Sequence, residues 1–348
     1  MQNRICFILF ILIWFVNPTI CFAGKYAGDF LSIGAGARAL ALGGAAIALT
    51  DDATGTYWNP ASLIAVNKRS MVLMHAERFS GLETYNFFSL VSEIKPLGHL
   101  GVSWIRLSID DIPIHEALSG TPEDRFGNLD LQPKGGGEYE EPLGYLQDVE
   151  NALFFSYSRL AAEKPILIGK IPVIVSWGAN LKYIFTHLGS ANSRAIGFDL
   201  AALFSATFKS GRLFIGTVAQ NAFAAEVKWN SKAVHEVPTP NPSREGTVER
   251  SEHEDIIPVN LRFGFAYTPA KGIFSHFTVV YALETQYGFT NHVGLEYHLM
   301  NFLTLRAGLH QREYAMGAGL KIKTYALDYA FTNEDLANSH QVSLNIMF

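Results

Sequence analysis

Cysteine is almost missing from this chain of 348 residues: Cys6 and Cys21 are the only two. Both lie in the first 23 residues, so the rest of the chain forms no disulfide and offers no thiol nucleophile or thiolate metal ligand. Charge is scarce as well. Asp, Glu, Lys and Arg make up 17% of the residues, against about 25% in a typical soluble domain. The net charge of −5 leaves no basic surface for nucleic acid. Long apolar runs are limited to Ile5–Val16, which is shorter than the ~20 residues a spanning helix needs. GxSxG, HExxH, nucleotide-loop and EF-hand patterns are missing, so no catalytic residue, metal site or cofactor is expected and the chain reads as a non-enzyme.

Residues 1–23 read as a signal peptide. Arg4 gives the positive start, Ile5–Val16 the apolar stretch, and Cys21-Phe22-Ala23 the small residues before a cut at Gly24. An exported, apolar chain with no membrane helix and no disulfide narrows the field, because only helices and closed barrels cross a bilayer.

Aromatics are plentiful, at 13%, and they sit in alternating patterns. In Pro172–Tyr183, Val173, Val175, Trp177, Ala179, Leu181 and Tyr183 share one parity, while Ile174, Ser176, Gly178, Asn180 and Lys182 take the other. A strand sends successive side chains to opposite faces. Alternation alone fits either a soluble sandwich or a membrane barrel. Candidate strands recur at 69–78, 84–94, 98–108, 151–162, 171–186, 192–208, 212–223, 257–268, 274–285, 290–299, 302–310, 314–322, 325–333 and 339–348. These are about fourteen, an even number, as a bacterial barrel requires. The long insertions 109–150 and 224–256 both follow odd-numbered strands, and the even-to-odd links are short. A barrel with long extracellular loops and short periplasmic turns explains that parity, and a sandwich does not.

Residues 24–66 differ from the rest. Ile33–Leu49 is rich in Ala and Gly, with Arg38 its only charge. Thr50 or Asp51 is placed to cap a short helix over Ala53–Trp58, and Asn59 to cap a second with Pro60 at its first position. The residues alone fit either a compact segment packed against other backbone or the opening strand and helix of a soluble domain. The runs Gly34-Ala35-Gly36-Ala37-Arg38-Ala39, Leu42-Gly43-Gly44-Ala45, Asp51-Asp52-Ala53 and Tyr57-Trp58-Asn59-Pro60-Ala61 resemble the N-terminal signature of PorV/PorQ-type outer-membrane proteins. They are more distantly similar to the FadL fatty acid transporters. Arg106 with Asp110-Asp111-Ile112-Pro113, Gly294-Leu295-Glu296-Tyr297 and Asp328-Tyr329-Ala330 extend the resemblance over most of the chain. It implies an all-β fold: a 14-stranded antiparallel transmembrane barrel over 67–348, with 24–66 as a plug containing short helices. The plug motif is then Gly34, Arg38, Gly43, Gly44, Asp51, Asp52, Asn59 and Pro60.

The face opposite the apolar one carries Asn180, Lys182, Asp199, His292, Glu296, Arg306, His310 and Asp328, which are expected to face the lumen. Pairing Leu299 with Leu303 puts Glu296 opposite Arg306, Gly294 opposite Gly308 and His292 opposite His310. The Glu296–Arg306 pair reads first as wall-stabilising and second as a contact to plug or ligand. Gly178, Gly197, Gly294, Gly308, Gly317 and Gly319 share that face and leave room for another backbone. The last strand alternates Val342, Leu344, Ile346 and Phe348, which resembles the signal read by barrel-assembly machinery. The expected place is the bacterial outer membrane, with its lipid as partner. The expected function is non-enzymatic, FadL-like passage of hydrophobic small molecules. The alternative is a PorV-type secretion component that binds and shuttles exported proteins.

Overall fold

The computed structural model describes residues 28–114, 142–231, 254–286, 288–311, 313–334 and 337–348. The expected signal peptide and most of both long loops lie outside these residues. Among the described residues, fourteen antiparallel strands close into one barrel. In chain order they are β1 Arg69–Arg78, β2 Glu83–Ile94, β3 Gly98–Ile114, β4 Gly144–Leu160, β5 Ile171–Leu188, β6 Ala191–Phe208 and β7 Gly211–Gln220. Then come β8 Asn260–Pro269, β9 Phe277–Glu284, β10 Thr290–Met300, β11 Leu303–His310, β12 Glu313–Ile322, β13 Tyr325–Thr332 and β14 Ser339–Met347. Each pairs with its chain neighbour, and β14 closes the ring on β1 from Ser70↔Met347 to Glu77↔His340. Arg69 and Phe348 exchange backbone bonds of 3.1 Å, so the ring has no open edge for lipid to meet.

The outward parity is apolar and uncovered. Trp177, Leu181, Phe263, Leu305, Met316 and Val342 are all exposed, and no second sheet or helix layer covers them among the described residues. No described helix is long and apolar enough to cross a membrane. A closed barrel with such a face is the β-structure that spans a bilayer.

Several local expectations shift. The stretch expected as loop 109–150 begins and ends in strand, since β3 runs to Ile114 and β4 starts at Gly144. A bulge between Ile109 and Ile112, with Asp111 at φ 56°, breaks the alternation there and hides the strand from pattern reading. The expected loop 224–256 carries strands Ala225–Ser231 and Glu254–Ile257, which pair with each other, the first also continuing the wall beside β6. Val173 is buried, at the place where a short strand, Ile166–Ile168, pairs with the start of β5. Near the β10–β11 turn Met300, not Leu299, pairs with Leu303, across a bulge that absorbs Leu299.

Residues 28–66 run through the lumen in short turns: 3-10 helices Asp29–Ser32 and Pro60–Ala65, and helices Ala37–Leu40 and Gly55–Trp58. Most of these residues are buried. The closed ring predicts heat-modifiable migration. Unboiled protein in SDS should run ahead of the boiled sample, and identical mobilities would contradict a closed barrel.

Candidate functional site

Short helices and turns leave many backbone groups unpaired, and these need partners once buried. The inward face of the wall supplies them. Ser343 Oγ accepts from Ala37 N at 3.1 Å and Ser70 Oγ from Ala53 N at 3.1 Å. Ser176 Oγ donates to Ala61 O at 2.7 Å, Ser89 Oγ to Ala53 O at 2.8 Å, and Asn180 Nδ2 to Thr56 O at 2.9 Å. His292 Nδ1 donates to Gly43 O at 2.7 Å. Within the segment, Asn59 caps Pro60–Ala65 by accepting from Ala61 N at 3.0 Å, and its Nδ2 donates to Ile47 O at 2.8 Å. Neither Thr50 nor Asp51 caps the helix Gly55–Trp58: its N-cap is Thr54, with no side-chain cap bond, and the turn before it is held by Asp52. Its Oδ1 accepts from Thr54 N at 2.8 Å, and its Oδ2 from Asn345 at 3.0 Å. The helix it precedes is shorter than expected, starting at Gly55. Burial, and then the neighbouring Asp51, raise the Asp52 carboxyl above the usual carboxylate range, against the pull of Arg38.

Glycine sets how closely the segment approaches. A β-carbon at Gly178 would meet the backbone of Pro60, and at Gly216 and Gly264 that of Ile47 and Ala48. At Gly294 it would meet the Leu42 carbonyl, at Gly308 the Gly43 nitrogen, and at Gly317 the Ala41 methyl. Gly197 and Gly319, expected to receive the segment as well, instead make room for Lys182 and for the Arg306–Asp328 pair. On the segment itself Gly43 and Gly44 have φ of 66° and 78°, a left-handed conformation that side chains rarely adopt.

Three charge clusters line the lumen. In the first, Arg38 donates to Glu296 through Nε at 2.9 Å and Nη2 at 3.0 Å and also pairs with Asp51, which reaches solvent. Arg306 bridges the same Glu296 at 2.7 Å to Asp328 at 2.7 Å. Glu296 therefore both braces the wall and holds the luminal segment, although wall-stabilising was the first reading. In the second, buried Lys182 lies 2.6 Å from Asp199, whose other bonds come from Asn180 and the Asn221 backbone, each 2.9 Å.

The third cluster opens onto a cavity of about 290 Å3. It lies at the rim from which the long connections leave, between the wall and Ile33, Leu40, Gly43, Gly44 and Trp58 of the segment. Arg262 is 2.6 Å from Glu284, with its guanidinium 5.3 Å from the Trp58 ring. His292 and His310 stack at 4.3 Å. Arg78 pairs with Glu83 at 2.5 Å and Glu334 at 2.8 Å. All eight residues expected to face the lumen lie on the inward face, and two of them, His292 and His310, reach the cavity. Arg262 and Glu284 were overlooked, yet parity marks both: Arg262 alternates with Leu261 and Phe263, and Glu284 with Leu283. Arg78, Glu83 and Glu334 sit where strands end, and no periodicity exposes them.

The fold just described is similar to a solved "CymD monoaromatic hydrocarbon channel", with a TM-score of 0.50 at 13% identity, covering 90% of this chain and 96% of that one. The likeness is one of fold, a closed antiparallel β-barrel. A Pseudomonas aeruginosa FadL homologue is also similar, with a TM-score of 0.48 at 10% identity over 87% of this chain and 95% of that one. No protein-family model matches the chain, and no curated protein matches its sequence. The uncovered apolar band and the closed ring place the barrel in the bacterial outer membrane.

Two outcomes follow. Glu296→Ala leaves two arginines short of their buried carboxylate and should cost about 3 kcal/mol, read as a lower unfolding midpoint in lipid vesicles. Gly308→Val drives a side chain into the Gly43 backbone and should make residues 28–66 protease-sensitive while the wall still closes; unchanged protection would show that the approach at Gly308 is not tight.

Proposed function

We propose that the barrel carries small hydrophobic molecules across the outer membrane without chemical change. The observation that carries this reading is the cavity above the luminal segment, open toward the rim of the long connections. At about 290 Å3 it exceeds the ~150 Å3 that accommodates benzene in an engineered protein core. Trp58, Leu40 and Ile33 give it apolar surface, and the shared fold with a channel named for monoaromatic hydrocarbons points the same way.

Gly43-Gly44 and Trp58 form the cavity floor. A molecule that enters from the long-loop rim passes only when residues 28–66 move relative to the wall. The ion pair from Arg38 to Glu296 and the bond from Gly43 to His292 are what that motion breaks. Removing residues 24–66 should raise single-channel conductance in planar bilayers, and the intact protein should speed uptake of toluene into proteoliposomes. Unchanged conductance, or uptake equal to empty vesicles, overturns the reading.

The likeness of residues 34–61 to PorV/PorQ-type proteins supports a second reading, a secretion component that binds exported proteins. That motif is its only support, and co-purification of secreted proteins from mild detergent would favour it. The last strand, ending at Phe348 beside Arg69, is proposed as the segment the barrel-assembly machinery recognises.

A further inference from the structure

The floor of the same cavity holds polar atoms with no direct hydrogen-bond partner among the described residues. Arg262 is buried, and its Nε and Nη1 have no hydrogen-bond partner. His292 is buried too, and its Nε2 has none. These are costly gaps, because a buried donor or acceptor without a partner forfeits its hydration. Buried atoms without a bond occur elsewhere on the wall too, as at Ser103 and Ser156, but those of Arg262 and His292 belong to residues that line the cavity.

Their chemistry is complementary to a hydroxyl. His292 Nδ1 lies 2.7 Å from the Gly43 carbonyl, which can only accept, so Nδ1 carries the proton. The neutral ring then presents Nε2 as a lone pair. That lone pair faces Glu284 Oε1 at 3.6 Å, beyond direct bonding, and the carboxylate is an acceptor as well. Two acceptors at that spacing call for a donor between them. Arg262, beside the same carboxylate, offers two free donors and calls for an acceptor. A group that donates once and accepts once answers both demands.

The cavity also selects against charge. Arg78 and Arg262 are matched by Glu284, Glu313 and Glu334 among the lining residues, so an anion finds no excess of positive charge there. Beside the polar floor stand the Trp58 ring and Leu40, a surface for one aromatic ring.

We propose that this cavity is a binding site for a small neutral aromatic that carries a hydroxyl, with its ring beside Trp58 and its hydroxyl donating to His292 Nε2 or Glu284 and accepting from Arg262. The inference rests on the cavity being the entry site of the transport reading and names the class of molecule it takes.

The test compares 4-methylphenol, p-xylene and 4-methylbenzoate by equilibrium dialysis against the full barrel in detergent, corrected with empty micelles. The first two differ by a hydroxyl in place of a methyl. The expected order is 4-methylphenol bound at least about tenfold more tightly than p-xylene, the value of one well-made hydrogen bond in a buried site, and more tightly than 4-methylbenzoate. His292→Phe should bring 4-methylphenol and p-xylene to within about threefold of each other, while heat-modifiable migration shows the barrel intact. If p-xylene binds as tightly as 4-methylphenol, ordinary water fills the gaps and the hydroxyl assignment fails, while toluene uptake still stands as the test of transport. If 4-methylbenzoate binds best, the site is for anions and the assignment fails. A binding order that His292→Phe leaves untouched places the hydroxyl elsewhere and likewise overturns it.

Discussion

Irregular backbone inside a barrel has to find hydrogen-bond partners that water no longer supplies, and this requirement organises the whole molecule. Residues 28–66 contain only helices of four to six residues, so most of their amides and carbonyls lack partners of their own. Ser70, Ser89, Ser176, Asn180, His292 and Ser343 provide them from the wall. The polarity of the inward face is thus largely spent on the chain's own N-terminal segment. It is not the lining of an open aqueous pore.

Close approach and charge pairing follow from the same requirement. Serine and asparagine side chains are short, so they reach the segment only where the wall comes within contact distance. Gly178, Gly216, Gly264, Gly294 and Gly308 provide that distance on successive parts of the ring. Where the segment carries a charge, the wall meets it with a buried partner. Arg38 finds Glu296, which Arg306 and Asp328 hold in turn. A buried ion pair adds little net stability over apolar packing, yet it strongly penalises misplacement. The pairs therefore fix where the segment sits more than how stable the barrel is.

The cavity is what remains where this matching stops. Near the long-loop rim the segment turns through Gly43 and Gly44, and Trp58 lies against Gly44 beside the space. Arg262 and His292 keep atoms there that no described residue pairs with. The molecule is closely packed on one side of its luminal segment and open to a small ligand on the other, an asymmetry suited to a site that is entered from one rim.

Alternation, together with the parity of the long links, determined the fold. Fourteen apolar-and-polar ribbons, with long links on one parity, leave a closed barrel as the economical solution, because every strand edge in lipid must be paired. Parity and a short turn also fixed the facing pairs Glu296–Arg306 and His292–His310, since a one-residue slip would turn both strands inside out. Bulges at Ile109–Ile112 and at Leu299 defeated the same reasoning locally, since an extra residue shifts parity without leaving a periodic trace. The tertiary structure alone decided which wall residues meet the luminal segment. Arg38 and Glu296 are 258 residues apart, and no period in the sequence links a segment of irregular turns to the strands around it. The cavity belongs to that second class, because it is set by where the segment stops filling the lumen.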